Sequence, residues 1–517
     1  MSRIFVPKDV AAIAAGANRV ADAIAREAAK RGHSIEIVRT GSRGAFFLEP
    51  LVEVETAAGR VGYREIRAAD VASLFDADFL AGATHPSSIG KTDEHPWFAG
   101  QTRLTFARCG LVDPLSLADY TSHGGWKGLA RAISLGAPAT VDEMIASGLR
   151  GRGGAGFPTG VKWKTVAATP AAQKYVICNA DEGDSGTFAD RMIMEGDPFA
   201  LIEGMIIAGF AVGATKGYVY SRSEYPHANA TFARAIEIAK AAGHLGANVE
   251  GSGFAFDLEL RVGAGAYVCG EETALMESLE GKRGIVRAKP PLPAIAGLFG
   301  KPTVVNNLLS LATVPFILAE SAKTYADFGM GRSLGTMPIQ IAGNVKYGGL
   351  YETAFGITLG DIVETIGGGT ATGRPVRAVQ CGGPLGAYFP PSLFDTPYDY
   401  EAFHAAGGLI GHGGITVFDD SVDMAEQARF AFEFGQAESC GKCTPCRIGT
   451  VRGRELVETI LAGKADEKTF ETLTDLCETM KFGSLCALGG FIPYPVMSSL
   501  THFPDDFRRA APRAAAE

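Results

Sequence analysis

The chain has 517 residues, 46% of them hydrophobic and 20% charged, which is long enough for several separately cored domains of ordinary globular composition. Its net charge of −9 argues against nucleic-acid binding as a main role. The longest apolar run, Ala200 to Ala214, is interrupted by Glu203 and too short to span a bilayer, Met1–Lys8 lacks the apolar stretch of a signal peptide, and nine cysteines form no disulfide-like framework; no membrane role and a cytoplasmic location are expected.

In chain order, residues 1–110 carry a helical pattern from Val10 to Arg31 and strand signals at Ser34–Arg39 and Leu51–Thr56. No cysteine precedes Cys109, so this region holds no thiolate-ligated cluster of its own. From about 140 to 315, strand and helix signals alternate: strands at 174–178, 217–221 and 254–262, helices at 198–214, 227–242 and 271–279. Such order predicts a parallel sheet covered by helices, with ligand sites at the carboxyl ends of its strands. Residues 335–420 change to short strands and glycine-rich turns with one short helix near Leu359–Ile366. After Met424 the pattern is helical, and the alanine-rich tail from Arg508 is expected to fray.

The helical region carries the sharpest motif, Cys440-Gly441-Lys442-Cys443-Thr444-Pro445-Cys446. Three cysteines at two-residue gaps are a common way for one loop to supply three ligands of a [4Fe–4S] cluster. Zinc sites use separated pairs instead, and a disulfide set does not suit such short gaps. Cys477 and Cys486 both follow as candidates for the fourth ligand. Cys486 lies in the small-residue stretch Gly483–Gly489, whereas Cys477 has the apolar helical spacing of a core residue, so the expected set is Cys440, Cys443, Cys446 and Cys486.

Gly151-Arg152-Gly153-Gly154-Ala155-Gly156 has the spacing of a phosphate-cradling loop, although it follows a helix-like stretch rather than a strand, and taken alone reads equally well as a turn. Asn179-Ala180-Asp181-Glu182-Gly183-Asp184 closes the first strand of the parallel sheet, and Gly263–Glu272 follows another and opens a helix. Acidic groups at strand ends serve as helix caps or as hydrogen-bond partners for cofactor hydroxyls, and several converging on one sheet edge favour the second use.

The runs GRGGAGFPTGVKW, CNADEGDSGTF, GAGAYVCGEETAL, KPTVVNN, ESCGKCTPCRIGT and SLCALG, in this order, resemble the flavin-bearing NADH-binding subunit of respiratory complex I, a core that also occurs in NAD-linked hydrogenases and NAD-dependent formate dehydrogenases. The resemblance covers about residues 120 to 500. It implies an α/β multidomain protein: a Rossmann-like FMN/NADH domain (111–334), a β-grasp (ubiquitin-like, SLBB) domain (335–422) and a helical [4Fe–4S] domain (423–517), preceded by a thioredoxin-like domain (1–110) that lacks cluster cysteines. It further implies FMN against Gly151, Arg152, Gly153, Gly154, Lys162, Asn179, Asp181, Gly270, Glu271, Asn306 and Asn307, and NAD(H) near Phe157, Glu182, Tyr267, Glu272 and Lys289. Lys162 and Arg152 would offset phosphate charge, and Phe157 or Tyr267 would stack on planar rings. Asp184 stands where the pattern has glutamate, Leu292 where it has phenylalanine, and Lys164 and Thr165 occupy the neighbourhood of a second aromatic, which bears on adenine stacking.

Hydride arrives as an electron pair and an iron–sulfur cluster takes single electrons, so a flavin between them is required and no side chain is expected as acid or base. The fused, clusterless first domain, with Val38–Gly44 and Leu48–Val54, resembles the β subunit of cytosolic molybdenum-containing NAD-dependent formate dehydrogenases. That resemblance implies a γ-type [2Fe–2S] subunit and a molybdenum-containing α subunit as partners. The alternatives are the diaphorase subunit of an NAD-linked hydrogenase, the complex I subunit itself, and, in another class, a non-enzymatic iron–sulfur docking scaffold.

Overall fold

In the computed structural model, residues 1–508 are described; the tail expected to fray lies, from residue 509 on, outside the described residues. The first sheet contains β1 (Ser2–Pro7), β2 (Ile35–Thr40), β3 (Val52–Thr56), β4 (Gly59–Tyr63) and β5 (Ser88–Lys91) in the order β2-β1-β3-β4-β5. β1 and β2 run parallel and the other pairs antiparallel. The helix expected from Val10 to Arg31 is broken at Gly16, whose φ of +109° ends Val10–Ala15 and starts Ala17–Arg31. Ile4, Val6, Ile24, Val54, Leu74 and Phe79 form a core of this region's own. It meets the helix Ala189–Gly196 closely: the Val10 N–H donates to the Glu195 carboxylate at 2.7 Å, and a Cβ on Gly41 would lie 2.5 Å from Gly196 Cα.

The second sheet is parallel throughout, with β6 (Tyr175–Ala180), β7 (Lys216–Ser221), β8 (Asp257–Val262) and β9 (Thr303–Asn307) in the order β8-β7-β6-β9. Its register sets Asn179 opposite Asn307, so the carboxyl ends of β6 and β9 present two amides side by side. β8 starts three residues later than its alternation predicts, because Phe256 is tied to Gly246 in an isolated bridge with its ring fully buried. The apolar run is the helix Pro198–Val212, buried nearly throughout. Its Glu203 accepts hydrogen bonds from Tyr120 Oη (2.5 Å), Trp126 N (2.8 Å) and Leu129 N (2.9 Å), and so ties the neighbouring helices to the core.

A short hairpin, β10 (Gly329–Met330) and β11 (Ser333–Leu334), leads into a third sheet of β12 (Thr336–Gly343), β13 (Gly349–Ala354), β14 (Val376–Cys381), β15 (Ala387–Phe389) and β16 (Gly414–Asp419), ordered β13-β12-β16-β14-β15. Only β12 and β16 pair in parallel within it. The helix expected near Leu359–Ile366 is a single wide turn, Asp361–Ile366. The C-terminal helices Met424–Glu438, Thr444–Leu461, Glu467–Gly483 and Pro493–His502 pack closely: a Cβ on Gly453 would lie 2.2 Å from the Phe432 ring. Among the described residues no helix is long and apolar enough to cross a membrane.

Replacing Glu203 with alanine leaves three buried or half-buried donors without an acceptor, at about 1–3 kcal/mol each in the worst case. The expected result is a loss of roughly 3 kcal/mol, read as a lowered thermal unfolding midpoint, with a smaller loss for Glu203→Gln, which keeps a carbonyl acceptor.

Candidate functional site

The carboxyl ends of β6 and β9, the glycine loop 151–156, the turn before the helix Glu272–Leu279 and two loops of the third sheet converge on two adjoining cavities of about 250 and 480 Å³. Gly153, Ala155, Asn179, Gly270, Glu271, Asn307 and Ala487 line both, so the two are continuous. The combined space is in the range of cofactor sites. Its walls approach closely because they lack side chains: a Cβ on Gly153 would lie 2.9 Å from Asn307 Cβ, and Gly154, with φ +112°, bridges directly to Gly411.

The structure brings most of the sequence-predicted residues to these cavities. Asn179 Nδ2 donates to the Gly270 carbonyl at 2.7 Å and fixes β6 to the turn ahead of the next helix. Glu271 caps that helix through the N–H groups of Thr273 (2.8 Å) and Ala274 (2.9 Å), while its second oxygen pairs with Lys289 at 3.1 Å. Lys289 also pairs with Glu272 at 2.7 Å, and Lys162 reaches Glu272 at 3.4 Å and the Val305 carbonyl at 2.8 Å. These two cations and two carboxylates edge the larger cavity, where Phe157 stands half exposed at the rim. Asn306 Oδ1 accepts from Trp163 Nε1 at 2.9 Å, and Asn307 caps the helix Leu308–Glu320. In the smaller cavity Tyr267 packs against Gly183 and donates to Asp184 Oδ1 at 2.8 Å. The Asp181 carboxyl has one buried oxygen without a partner, and burial pushes its pKa up to about 7.

The side chain of Arg152 requires a correction. In the sequence its guanidinium reads as a partner for phosphate charge, but it is buried away from both cavities, donating to Tyr325 Oη (2.6 Å) and to the Leu334 and Arg150 carbonyls, over the Phe355 ring. An arginine can satisfy its fork of donors inside protein as readily as on a phosphate. What Arg152 offers the site is its main chain, whose carbonyl accepts from His412 Nδ1 at 2.9 Å.

His412 is the main residue that sequence reasoning missed. Its Nε2 lies 3.1 Å from Glu182 Oε1 and 3.2 Å from Asp190 Oδ1, and all three residues are buried on the wall of the smaller cavity. Burial alone would lower the imidazole pKa, but the two carboxylates raise it well above its usual value. Glu182 is held ionised despite burial by His412 and by the N–H groups of Asp190 and Arg191, whereas burial raises Asp190. Glu182, expected near nicotinamide, is therefore engaged with protein donors. The available signal was a histidine set among glycines, Gly411-His412-Gly413, immediately before β16.

The four predicted cysteines gather at the other side of the same wall. Cys446 is buried and within 3.2 Å of Ser439 Oγ, while Cys440, Cys443 and Cys486 are half-buried; none forms a disulfide. Burial pushes the Cys486 thiol up to about 11, partly offset by the Leu488 and Gly489 N–H groups that point at its sulfur. The stretch expected as a loop turns helical at Ala487–Phe491, with Cys486 at its N-cap, and a Cβ on Gly489 would lie 2.7 Å from Cys446 Cβ, so this short helix can approach the triplet only as glycine. Cys477 is fully buried in its helix, as its apolar spacing predicted. Cys486 and Ala487 line the larger cavity, and Ala487 and Leu488 the smaller.

Residues 144–316 match the Nuo51 FMN-binding domain, and residues 426–510 the iron–sulfur binding region of NADH-ubiquinone oxidoreductase-F. The chain is 44% identical over 407 residues to HndC, a subunit of the NADP-reducing hydrogenase of Solidesulfovibrio fructosivorans, spanning 79% of this chain and 83% of that one. It is 41% identical over 400 residues to the F subunit of NADH-quinone oxidoreductase from Aquifex aeolicus, spanning 77% and 92% respectively. The chain belongs to the family of NADH-quinone oxidoreductase F subunits. A crystal structure of NAD+-reducing [NiFe]-hydrogenase in the H2-reduced state superposes with a TM-score of 0.69 at 30% identity, over 99% of this chain and 84% of that one. As a member of that family the chain carries FMN, a [4Fe–4S] cluster and NAD(H) as cofactors, and it is an NAD(P)H-dependent oxidoreductase subunit of mixed α/β fold. The residues present fit that complement: the cavities are lined by glycine backbone and present the orphaned Asp181 oxygen, and Cys486, one of the four free thiols, stands in the lining of the larger one.

Two outcomes are expected for this protein. Cys486→Ala should drop bound iron below about half of wild type, whereas Cys477→Ala leaves iron unchanged and loses only about 1 kcal/mol of packing; iron analysis with denaturation of both variants checks this. The Asp181 pKa is raised above the unfolded value of 3.8, so this group's contribution to the stability of the flavin-free fold is fully present below about pH 4 and is lost as pH rises toward 7. Asp181→Asn is then expected to be more stable than wild type by roughly 1–3 kcal/mol at pH 8 and equal to it near pH 4, by denaturation at both values.

Proposed function

We propose that this chain is a diaphorase subunit that exchanges hydride between NAD(H) and FMN in the double cavity and passes single electrons between that flavin and the cysteine-bound cluster. The observation that carries this reading is the shared wall: the loop bearing Cys486 also lines both cavities, so ligand thiols and flavin space stand one loop apart. Bound FMN supplies the conversion between a two-electron carrier and a one-electron cluster. The chain's residues bind and orient. Main-chain groups of Gly151, Arg152, Gly153 and Gly154, with Lys162, Asn179, Asp181, Gly270, Glu271, Asn306 and Asn307, hold the flavin. Phe157, Glu272 and Lys289 receive NAD(H) at the edge of the larger cavity, and Tyr267 and Glu182 from the wall of the smaller one. Cys440, Cys443, Cys446 and Cys486 hold the cluster, their deprotonation driven by iron.

The layout we propose is a thioredoxin-like docking domain (1–110), a Rossmann-like FMN/NADH domain (111–334), a β-grasp domain (335–422) and a helical cluster domain (423–517). The parallel β1/β2 pair beside an antiparallel β3/β4 hairpin supports the first, and the all-parallel β6–β9 sheet the second.

Two remote electron donors are supported. The runs Val38–Gly44 and Leu48–Val54 favour formate, oxidised in a molybdenum-containing α subunit and relayed by a γ-type [2Fe–2S] subunit. The likeness to a chain of NAD+-reducing [NiFe]-hydrogenase over 99% of this chain, its first domain included, favours dihydrogen. In both the physiological direction is reduction of NAD+ here, within a hetero-oligomer in the cytoplasm.

Anaerobic NADH-to-viologen turnover by the purified chain, with about one FMN and four irons bound, is the expected result; iron without flavin or turnover, unrestored by added FMN, favours the scaffold instead. Molybdenum with formate-driven NAD+ reduction in the co-purified complex selects the first donor, and nickel with dihydrogen-driven reduction the second. Phe157→Ala is expected to raise the NADH KM about tenfold with little change in kcat, since a rim contact binds ground and transition states alike; steady-state kinetics separates the two parameters.

A further inference from the structure

In the diaphorase reaction as proposed, the buried group Glu182–Asp190–His412 does no more than form a wall. Its hydrogen bonds fix where its protons sit. His412 Nδ1 faces the Arg152 carbonyl, which can only accept, so Nδ1 carries a hydrogen. Glu182 accepts four bonds: Asp190 N (3.1 Å) and His412 Nε2 (3.1 Å) on one oxygen, Arg191 N (3.2 Å) and Tyr225 Oη (3.1 Å) on the other. A carboxylate with four donors is ionised, so Nε2 also carries a hydrogen and the ring is an imidazolium. Asp190 differs. Its Oδ2 accepts from Asn307 at 3.2 Å, while its buried Oδ1 lies 3.2 Å from Nε2 in an ion-pair contact, the Nε2 hydrogen itself being directed at Glu182.

Two carboxylates against one imidazolium leave a net charge of −1 in a buried wall when Asp190 is ionised. Asp181 and Asp184 add to it from the loop after β6, and Cys178 on β6 faces Asp190. Against them stand the Arg222 guanidinium, bound to the Glu182 carbonyl, and Arg191, whose guanidinium lies over the Tyr225 ring. Any further negative charge in the cavity is repelled through a low-dielectric medium, and within this group Asp190, whose Oδ1 receives no hydrogen, is the carboxylate able to relieve it; Asp181, which also has such an oxygen, is set apart by the Asp190→Asn comparison below, which leaves it in place.

We propose that Asp190 Oδ1 is a charge-compensating proton site: when the flavin in this cavity gains two electrons and one proton, Asp190 takes up a second proton from solvent, and it releases that proton when the electrons leave. This rests on the diaphorase reading. His412 and Glu182 are positioning residues that hold the carboxyl beside the cavity and keep its acid form neutral within the group. The electrons come from NADH or, in reverse, from the cluster, so no further reductant is needed. Burial raises the Asp190 carboxyl toward the range in which such uptake occurs.

The test uses the flavin-bearing chain under anaerobic conditions. The flavin midpoint potential is measured from pH 6 to 9 in wild type, Asp190→Asn and His412→Gln, and oxidised-minus-reduced infrared spectra are recorded in H2O and D2O. The expected result is a pH dependence in wild type steeper by about one proton per two electrons over part of the range, and a carboxylic-acid C=O band that appears on reduction and shifts in D2O. Both are absent in Asp190→Asn, and in His412→Gln the steep segment moves to higher pH because the neighbouring cation is gone. Superimposable potential curves with no such band in wild type overturn the proposal. Should Asp190→Asn fail to keep FMN, the wild-type band and the His412→Gln curve decide. A wild-type chain that holds no flavin, or whose flavin NADH does not reduce, fails the diaphorase reading itself; a flavin that NADH reduces without the carboxyl band fails only this proposal.

Discussion

The site depends on backbone approaching backbone. The parallel-sheet region, the third sheet and the first sheet meet at contacts where no Cβ fits: a Cβ on Gly383 would lie 2.4 Å from Asp184, one on Gly414 2.7 Å from Thr187, and one on Gly41 2.5 Å from Gly196. A methyl group at any of these would wedge two elements apart by a large fraction of an ångström, and packed interiors do not yield that distance cheaply. Within the helical region an added Cβ on Gly489 would lie 2.7 Å from Cys446, so glycine also lets the Cys486 segment, which lines the cavity, reach the cysteine triplet. The high glycine content, 66 residues, thus serves partly at the joints between domains rather than only in surface turns.

A second constraint is electrostatic. The cavity wall holds Asp181, Glu182, Asp184 and Asp190 out of bulk water, and each is handled differently. Glu182 is ionised and fully bonded, Asp184 accepts from Tyr267, Asp190 pairs with His412 at 3.2 Å, and Asp181 keeps one oxygen without a partner. Asp181 lines the cavity, so a bound cofactor can supply the donor that its orphaned oxygen lacks. The rim is different in kind, since Lys162 and Lys289 already have Glu272 between them, and a bound anion there must compete with that carboxylate.

Much of this is legible in the chain. The gathering of the cysteine triplet is, because its members are local in sequence, and Cys477 can be told from Cys486 because helical spacing buries the first while the second stands half-buried at a helix N-cap. The parallel sheet follows from alternating strand and helix signals, and the amides and acids at its carboxyl edge from the ends of those strands. What cannot be read depends on long-range pairing. His412 meets Glu182 across 230 residues, and a lone histidine among glycines carries no local mark of its partners. Arg152 misleads because a cation in a glycine loop suggests phosphate, while its true partners, Tyr325 and Leu334, lie 173 and 182 residues away. At the scale of elements, Gly16 breaks a helix and the bridge at Phe256 delays a strand, each a case of local geometry overriding periodicity.

The central claim is that hydride chemistry and single-electron transfer are coupled across one shared wall by the flavin. The most direct measurement is anaerobic reduction of the cluster by NADH, followed by low-temperature electron paramagnetic resonance, in matched samples with FMN bound and with FMN stripped. A reduced-cluster signal is expected only in the flavin-bearing sample, restored when FMN is returned to the stripped one. Cluster reduction by NADH at an undiminished rate without flavin would contradict the claim.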